Sequence, residues 1–85
     1  MGSITRVEIP LKAPSKIFSK FRVIGDLIKN YPNLKFVKYI FLDPLDNKMK
    51  ASNPKNDLPL VENAYITFIG EDKDIIKFTN DAVKI

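Results

Sequence analysis

Apolar and polar side chains alternate along the first segment of the chain, from residue 4 to residue 11. A period of two predicts a half-buried strand. After Ser15, a candidate N-cap, the spacing of apolar residues becomes helical and continues to Tyr31. Gly25 lies inside this predicted helix, and its small size favours a close approach to the sheet there. The apolar side of the predicted helix consists of Ile17, Phe18, Phe21, Ile24, Leu27, Ile28 and Tyr31.

Two more strands and a second helix follow. Residues 34–42 are rich in aromatic and β-branched side chains, which favours a strand over a helix. A third strand is expected over residues 61–69, ending at Gly70. Acidic residues then begin a helix whose first turn favours negative charge. Its predicted buried stripe consists of Ile75, Phe78, Thr79, Ala82 and Val83.

Between the second and third strands lies a stretch with three prolines and almost no apolar pattern, residues 43–60. A connection of this length is either functional or mobile. We find no internal repeat and no boundary elsewhere, and 85 residues suffice for one two-layer core. We therefore predict a single α+β domain over residues 1–85 with a long basic loop at 43–60.

The element order β-α-β-β-α predicts a two-layer sandwich, in which two helices cover one face of a three-stranded antiparallel sheet. A right-handed crossover would make this a truncated ferredoxin-like fold. Because the chain ends at Ile85, just after the second helix, we expect the fourth strand of such a sheet to be missing. Strand one would then be an exposed edge, and a homodimer joined through it would satisfy its unpaired backbone groups.

Charge is distributed unevenly along the chain, whose net charge is +4. Residues 12–55 hold ten of the fourteen basic side chains and three acids, whereas the last thirty residues hold three lysines and six acids. A basic segment of this kind offers phosphate contacts to RNA or single-stranded DNA. Two alternatives stay open, a solvated loop and the ordinary polar side of a helix. The candidate nucleic-acid contacts are Lys12, Lys16, Lys20, Lys38, Lys48, Lys50, Lys55 and Tyr65.

The second strand is apolar on both of its alternating faces. A sheet with helices on one side only should have polar residues on the other side. A partner protein or a second copy would therefore cover the face that carries Phe36, Ile40 and Leu42. The alternative is that the long 43–60 loop folds back over this face.

The composition argues against several classes of function. The chain has no cysteine and no histidine, so a thiolate metal site is excluded and a zinc site is not expected. The acids that could serve catalysis stand in structural positions, Asp43 and Asp46 in a turn sequence and Glu71, Asp72 and Asp74 at a helix start. We expect no enzyme, no cofactor and no metal. With no apolar run of membrane-spanning length and no secretory segment, we expect a cytoplasmic protein that does not enter a membrane.

Four short stretches resemble the RNA-recognition motif. Residues 17–21 (IFSKF) resemble the end of that family's first helix, and Val37-Lys38-Tyr39 with Asp43-Pro44 resembles its second strand and turn. Residues 64–68 (AYITF) resemble the second half of its third-strand signature, and the helix after Glu71-Asp72 resembles its second helix. The resemblance implies a ferredoxin-like fold and RNA binding on the sheet. Of the family's stacking aromatics, only Tyr65 has a counterpart here.

Pattern, charge and resemblance together predict a small binding module that is not an enzyme. Its expected function is nonspecific nucleic-acid binding, alone or as an accessory subunit of a nucleic-acid-handling complex. The alternative is a protein-interaction or dimerisation subunit that uses the edge of strand one and the apolar sheet face.

Overall fold

The computed structural model describes residues 4–83. This part of the chain forms four strands and three helices. Their order is β1 (Ile4–Pro10), α1 (Lys16–Lys20), α2 (Ile24–Asn30), β2 (Lys35–Asp43), β3 (Lys48–Ser52), β4 (Tyr65–Glu71) and α3 (Asp72–Val83).

The four strands form one antiparallel sheet in the order β1-β4-β2-β3. The α+β class and the edge position of β1 are thereby confirmed. The prediction of three strands and two helices was wrong in both numbers, because the structure has one strand and one helix more within residues 4–83.

The additional strand, β3, lies inside the segment that we predicted to be a loop. A tight turn joins it to β2, because the Asp43 carboxylate accepts the Leu45 N–H at 2.9 Å and the Asp43 carbonyl accepts the Asn47 N–H at 2.8 Å. Asn47 has a φ of 57°, which asparagine tolerates better than most residues. All but the last residue of β3 are exposed, so its sequence lacks the apolar alternation by which a strand is recognised.

The predicted first helix is divided into α1 and α2. Phe21 and Val23 between them have extended backbone. The loop between β3 and β4 pairs with this interruption, because the Arg22 carbonyl accepts the Leu60 N–H at 2.9 Å and the Leu58 carbonyl accepts the Ile24 N–H at 2.8 Å. The Asp26 carboxylate accepts the N–H groups of Arg22 and Val23 at 3.0 and 3.3 Å. Helical spacing alone did not reveal the interruption, because residues on both sides of it still face the core.

Gly25 makes a close approach, but to the loop and not to the sheet. A Cβ atom at this position would lie 2.8 Å from the Asn56 carbonyl oxygen. The Gly25 N–H also donates to that oxygen at 3.0 Å. The small residue therefore allows the 56–60 segment to pack against the start of α2, and the predicted contact with the sheet was wrong.

The core lies between the helices and one face of the sheet. Phe78 of α3 packs against Phe36 and Phe68, with ring centroids 5.3 and 5.0 Å away. The predicted stripe of the last helix is largely confirmed, because Ile75, Phe78 and Ala82 are buried. Strand β4 begins at Tyr65 and not at residue 61, since a turn with Asn63 at a φ of 67° precedes it.

Candidate nucleic-acid interface on the open face of the sheet

One side of the sheet packs against the helices, and the alternate side chains of each strand point to the other side. We call this other side the open face. Cross-strand register places its side chains in rows, because directly paired residues point to the same side. One row is Arg6, Ile69 and Lys35, the next is Glu8, Thr67 and Lys38, and the third is Pro10, Tyr65, Ile40 and Ala51.

A β-bulge in β2 decides which of its residues reach this face. The register with β4 shifts between Phe36 and Lys38, so Phe36 pairs with Phe68 on the helix side while Lys38 pairs with Thr67 on the open face. Phe36 is accordingly in the core and only 9% exposed. Its predicted place beside Ile40 was wrong, since a strict period of two does not anticipate a bulge.

One end of the open face is apolar. Tyr65 and Leu42 are 45% and 43% exposed, and Met49 of β3 is 57% exposed. Leu42 and Met49 are direct cross-strand partners, and half-buried Ile40 lies opposite Tyr65. We call Ile40, Leu42, Met49 and Tyr65 the apolar patch. The sequence indicated three of these four residues, but Met49 was missed as a member of this surface because β3 was not recognised as a strand.

The other end of the open face is basic. Arg6 and Lys38 both line a shallow depression of about 390 Å³. Lys35 stands in the same row as Arg6. Neither Arg6 nor Lys35 was among the predicted contacts, because Lys35 shares a face with Lys38 only through the bulge and Arg6 joins them only through the pairing of β1 with β4. The depression is lined by Arg6, Val37, Lys38, Ala51, Ser52 and Asn53.

Lys12, Lys16 and Lys20 are not brought to this surface. They belong to α1 and the chain before it, in the helix layer, where the Lys16 ammonium lies 3.8 Å from the Asp81 carboxylate. The same carboxylate accepts the Tyr31 hydroxyl at 2.6 Å. Burial and this hydrogen bond raise the pKa of Tyr31 well above its usual range. This cluster joins α1 and α2 to α3, which is a structural role for Lys16.

The lysines of the predicted loop are divided between two places. Lys48 and Lys50 stand on β3, opposite Asp43 and Phe41, on the side away from the apolar patch. The Lys50 ammonium lies 2.7 Å from the Asp43 carboxylate and 3.1 Å from that of Asp46. The hydrogen bond from Lys50 lowers the pKa of Asp43, and the same contact raises the pKa of Lys50. The charge of Lys50 is thus largely compensated.

The loop after β3, which carries exposed Lys55, does not cover the open face. The Pro59 carbonyl accepts the Tyr39 hydroxyl at 3.0 Å, and that hydroxyl oxygen accepts the Val61 N–H at 2.9 Å. Tyr39 is buried on the helix side of the sheet, opposite Ile66. The loop therefore crosses the helix layer. Our alternative prediction, in which it folds back over the apolar face, was wrong.

Lys38 and Tyr65 are the two predicted nucleic-acid contacts that the sheet brings together on one surface. No protein-family model matches the chain, and no curated protein and no solved structure matches it either. The resemblance to the RNA-recognition motif remains a prediction. Within residues 4–83, no three acidic side chains are grouped as they would be to hold a metal ion, and no helix of that part is long and apolar enough to cross a membrane.

Proposed function

We propose that this chain is a small binding module whose open face binds RNA or single-stranded DNA without sequence preference. The observation that carries the proposal is the position of Tyr65. Tyr65 is 45% exposed on the open face of the sheet, and Arg6 and Lys38 stand on the same face. An exposed aromatic ring beside cations is the combination that nonspecific single-strand binding uses.

The rows of the open face give its side chains different roles in binding. Tyr65 offers a face on which a base stacks, an interaction of about 1–3 kcal/mol that every base can make. The row of Glu8, Thr67 and Lys38 lies about 7 Å along the strands from the row of Tyr65. The row of Arg6 and Lys35 lies about twice as far from it. On this proposal exposed Lys38, Arg6 and Lys35 contact successive phosphates of the same strand, while exposed Glu8 opposes part of the attraction. The binding constant then falls as salt rises.

The test is a titration of a fluorescently labelled oligothymidine followed by anisotropy at low and high salt. Lys38→Glu and Tyr65→Ala should each weaken binding, the first through charge and the second through stacking. The matched control is Lys77→Glu on the exposed surface of α3, which makes the same change in net charge. If Lys77→Glu weakens binding as much as Lys38→Glu, the open face is not the binding surface.

A second candidate function is recognition of a protein partner through the apolar patch. The exposure of Leu42 and Met49 on neighbouring strands favours it, since contiguous apolar surface marks interaction sites. Such binding would withstand high salt and fail on Leu42→Lys, whereas nucleic-acid binding would fail at high salt. The two candidates fit one accessory subunit that contacts both a protein and a nucleic acid.

A further inference from the structure

The two edges of the sheet differ in how they are protected. Within residues 4–83, no strand pairs with the outer side of β1 or with the outer side of β3. Strand β3 carries Lys48 and Lys50, and lysines on an edge strand oppose pairing with another chain. Strand β1 has no lysine and carries one cation and one anion, Arg6 and Glu8. Its edge is therefore the one that is suited to accept another strand.

The backbone direction of β1 identifies the groups that are available for pairing. Leu11 directs its N–H to the Ala64 carbonyl and accepts the Asn63 N–H, both at 2.8 Å and both on the side of β4. Because successive residues of a strand direct these groups to opposite sides, the even-numbered residues of β1 direct theirs outward. These are Ile4, Arg6, Glu8 and Pro10. Proline lacks an N–H, and here that loss falls on the outward side, as is usual for edge strands.

We propose that β1 pairs with β1 of a second copy of this chain, antiparallel about a two-fold axis at Val7. In this register Arg6 faces Glu8 of the second copy, and Glu8 faces Arg6. Each pair exchanges both backbone hydrogen bonds, since all four residues direct their N–H and C=O groups outward. Ile4 donates to the carbonyl of Pro10 of the second copy, and only the reciprocal bond to the Ile4 carbonyl is missing, because proline has no N–H.

Side-chain charge selects this register over its neighbours. Sliding one strand by two residues places Arg6 opposite Arg6 or Glu8 opposite Glu8, and like charges directly opposite are destabilising. Among the described residues, neither side chain takes part in an ion pair within one copy. The proposed pairing gives each of them a partner of opposite charge on the open face.

The helix side of the edge offers apolar surface to the same interface. The Thr5 hydroxyl donates to the Asp72 carboxylate at 3.4 Å, so this flank of α3 lies over β1. Ile76 follows one turn later on that flank and is 59% exposed. Val7, half-buried at the axis, points to the same side. Pairing would bring Val7 and Ile76 of both copies toward the axis and remove apolar area from water.

A dimer of this kind joins the two open faces into one continuous surface, with Arg6 of both copies at the junction. Insofar as this surface binds nucleic acid, the inference rests on the proposed function. The pairing itself does not. The lysine-bearing β3 strands become the two outer edges, which favours a closed dimer over a growing filament.

Amide hydrogen exchange followed by NMR tests the pairing residue by residue, without nucleic acid. In the dimer, the amides of Arg6 and Glu8 should be protected and should lose protection on dilution. The Val7 amide, which faces β4, should stay protected throughout. Rapid exchange at Arg6 and Glu8 at every concentration would overturn the proposal.

Sedimentation equilibrium on charge variants tests the register. Arg6→Glu and Glu8→Arg each place like charges opposite one another twice, and each should raise the dimer dissociation constant about tenfold or more. The double variant Arg6→Glu/Glu8→Arg restores opposite charges and should restore the dimer. Glu8→Pro removes an outward N–H while leaving the bonds to β4, and should give a folded monomer by circular dichroism.

Either of two results would overturn the inference: a wild-type protein of monomer mass throughout, or a double variant no better than the single ones. Because no nucleic acid is present, these failures leave the proposed function untouched. Conversely, a dimer that fails to bind oligothymidine would refute the proposed function and keep the pairing.

Discussion

The Tyr39 hydroxyl joins β2 to the Pro59 carbonyl, 3.0 Å away, and at the same time accepts the Val61 N–H. This single buried oxygen holds the loop after β3 on the helix side of the sheet. Because the loop is held there, the open face is left uncovered within the described part of the chain, and the candidate site is available.

Removing that hydroxyl should destabilise the fold. Tyr39→Phe leaves the Pro59 carbonyl and the Val61 N–H without their partner, at a cost of about 1–3 kcal/mol in the free energy of unfolding. Urea denaturation measures this loss. Tyr65→Phe, the same change on the exposed open face, is the control and should lie within about 0.5 kcal/mol of the wild type. Equal losses for the two variants would contradict the role given to Tyr39.

Gly25→Ala should lower stability, although alanine is the better helix former. Intrinsic propensity alone predicts a gain, of at most about 1 kcal/mol because Gly25 is only the second residue of α2. The added Cβ would lie 2.8 Å from the Asn56 carbonyl oxygen, and such crowding costs about 1–3 kcal/mol. The sign of the change, measured by thermal unfolding, decides between the two effects. A stabilised variant would mean that the loop at Asn56 moves away from the added methyl group at little cost.

Asp26 should make stability depend on pH. Hydrogen bonds from the backbone N–H groups of Arg22 and Val23 lower the pKa of this carboxyl below its ordinary value of about 3.9. Its contribution is therefore fully present above that ordinary value and is lost as the pH falls through the lowered one.

Denaturation of wild type and Asp26→Asn over a range of pH checks this prediction. The advantage of the wild type should be constant near neutrality and should shrink below about pH 4. The comparison isolates Asp26, because Asp43, whose pKa is also lowered, is present in both proteins. An advantage that grows on acidification would show that the sign is wrong.

Charge compensation predicts unequal effects of two lysines on oligothymidine binding. Lys50→Gln removes a charge that Asp43 and Asp46 already balance, whereas Lys38→Gln removes one from the open face without such an ion pair among the described residues. We expect a clear loss of affinity and a smaller salt dependence for Lys38→Gln and little change for Lys50→Gln. Exposed Lys48 and Lys55, each changed to Gln, should have intermediate effects. An equal loss of affinity for Lys38→Gln and Lys50→Gln would mean that binding depends on net charge and not on the open face.

The sequence was informative where a period was long and regular. Alternation located β1, the density of aromatic and β-branched side chains located β2, and the spacing of Ile75, Phe78 and Ala82 located α3. The edge position of β1 also followed from the predicted topology. These features depend on local patterning against one core, which a single sequence expresses directly.

What was missed depends on contacts between distant segments. The break before α2 exists because residues 58–60 pair with Arg22 and Ile24, and the position of Phe36 depends on a bulge. Strand β3 owes its existence to its pairing with β2, since its own residues are mostly exposed. The prediction of the candidate site was incomplete for the same reason. Lys38 and Tyr65 were identified, but Arg6 and Met49 join them only once the strand order is known.

The most direct test of the central claim is an NMR titration of the protein with short oligothymidine at low salt. If the open face is the binding surface, the largest amide shift changes should cluster at Tyr65, Thr67 and Lys38. Residues of the helix layer around Lys16 and Lys20 should change little. The reverse distribution, with changes concentrated in the helix layer, would contradict the account and assign binding to the helix lysines.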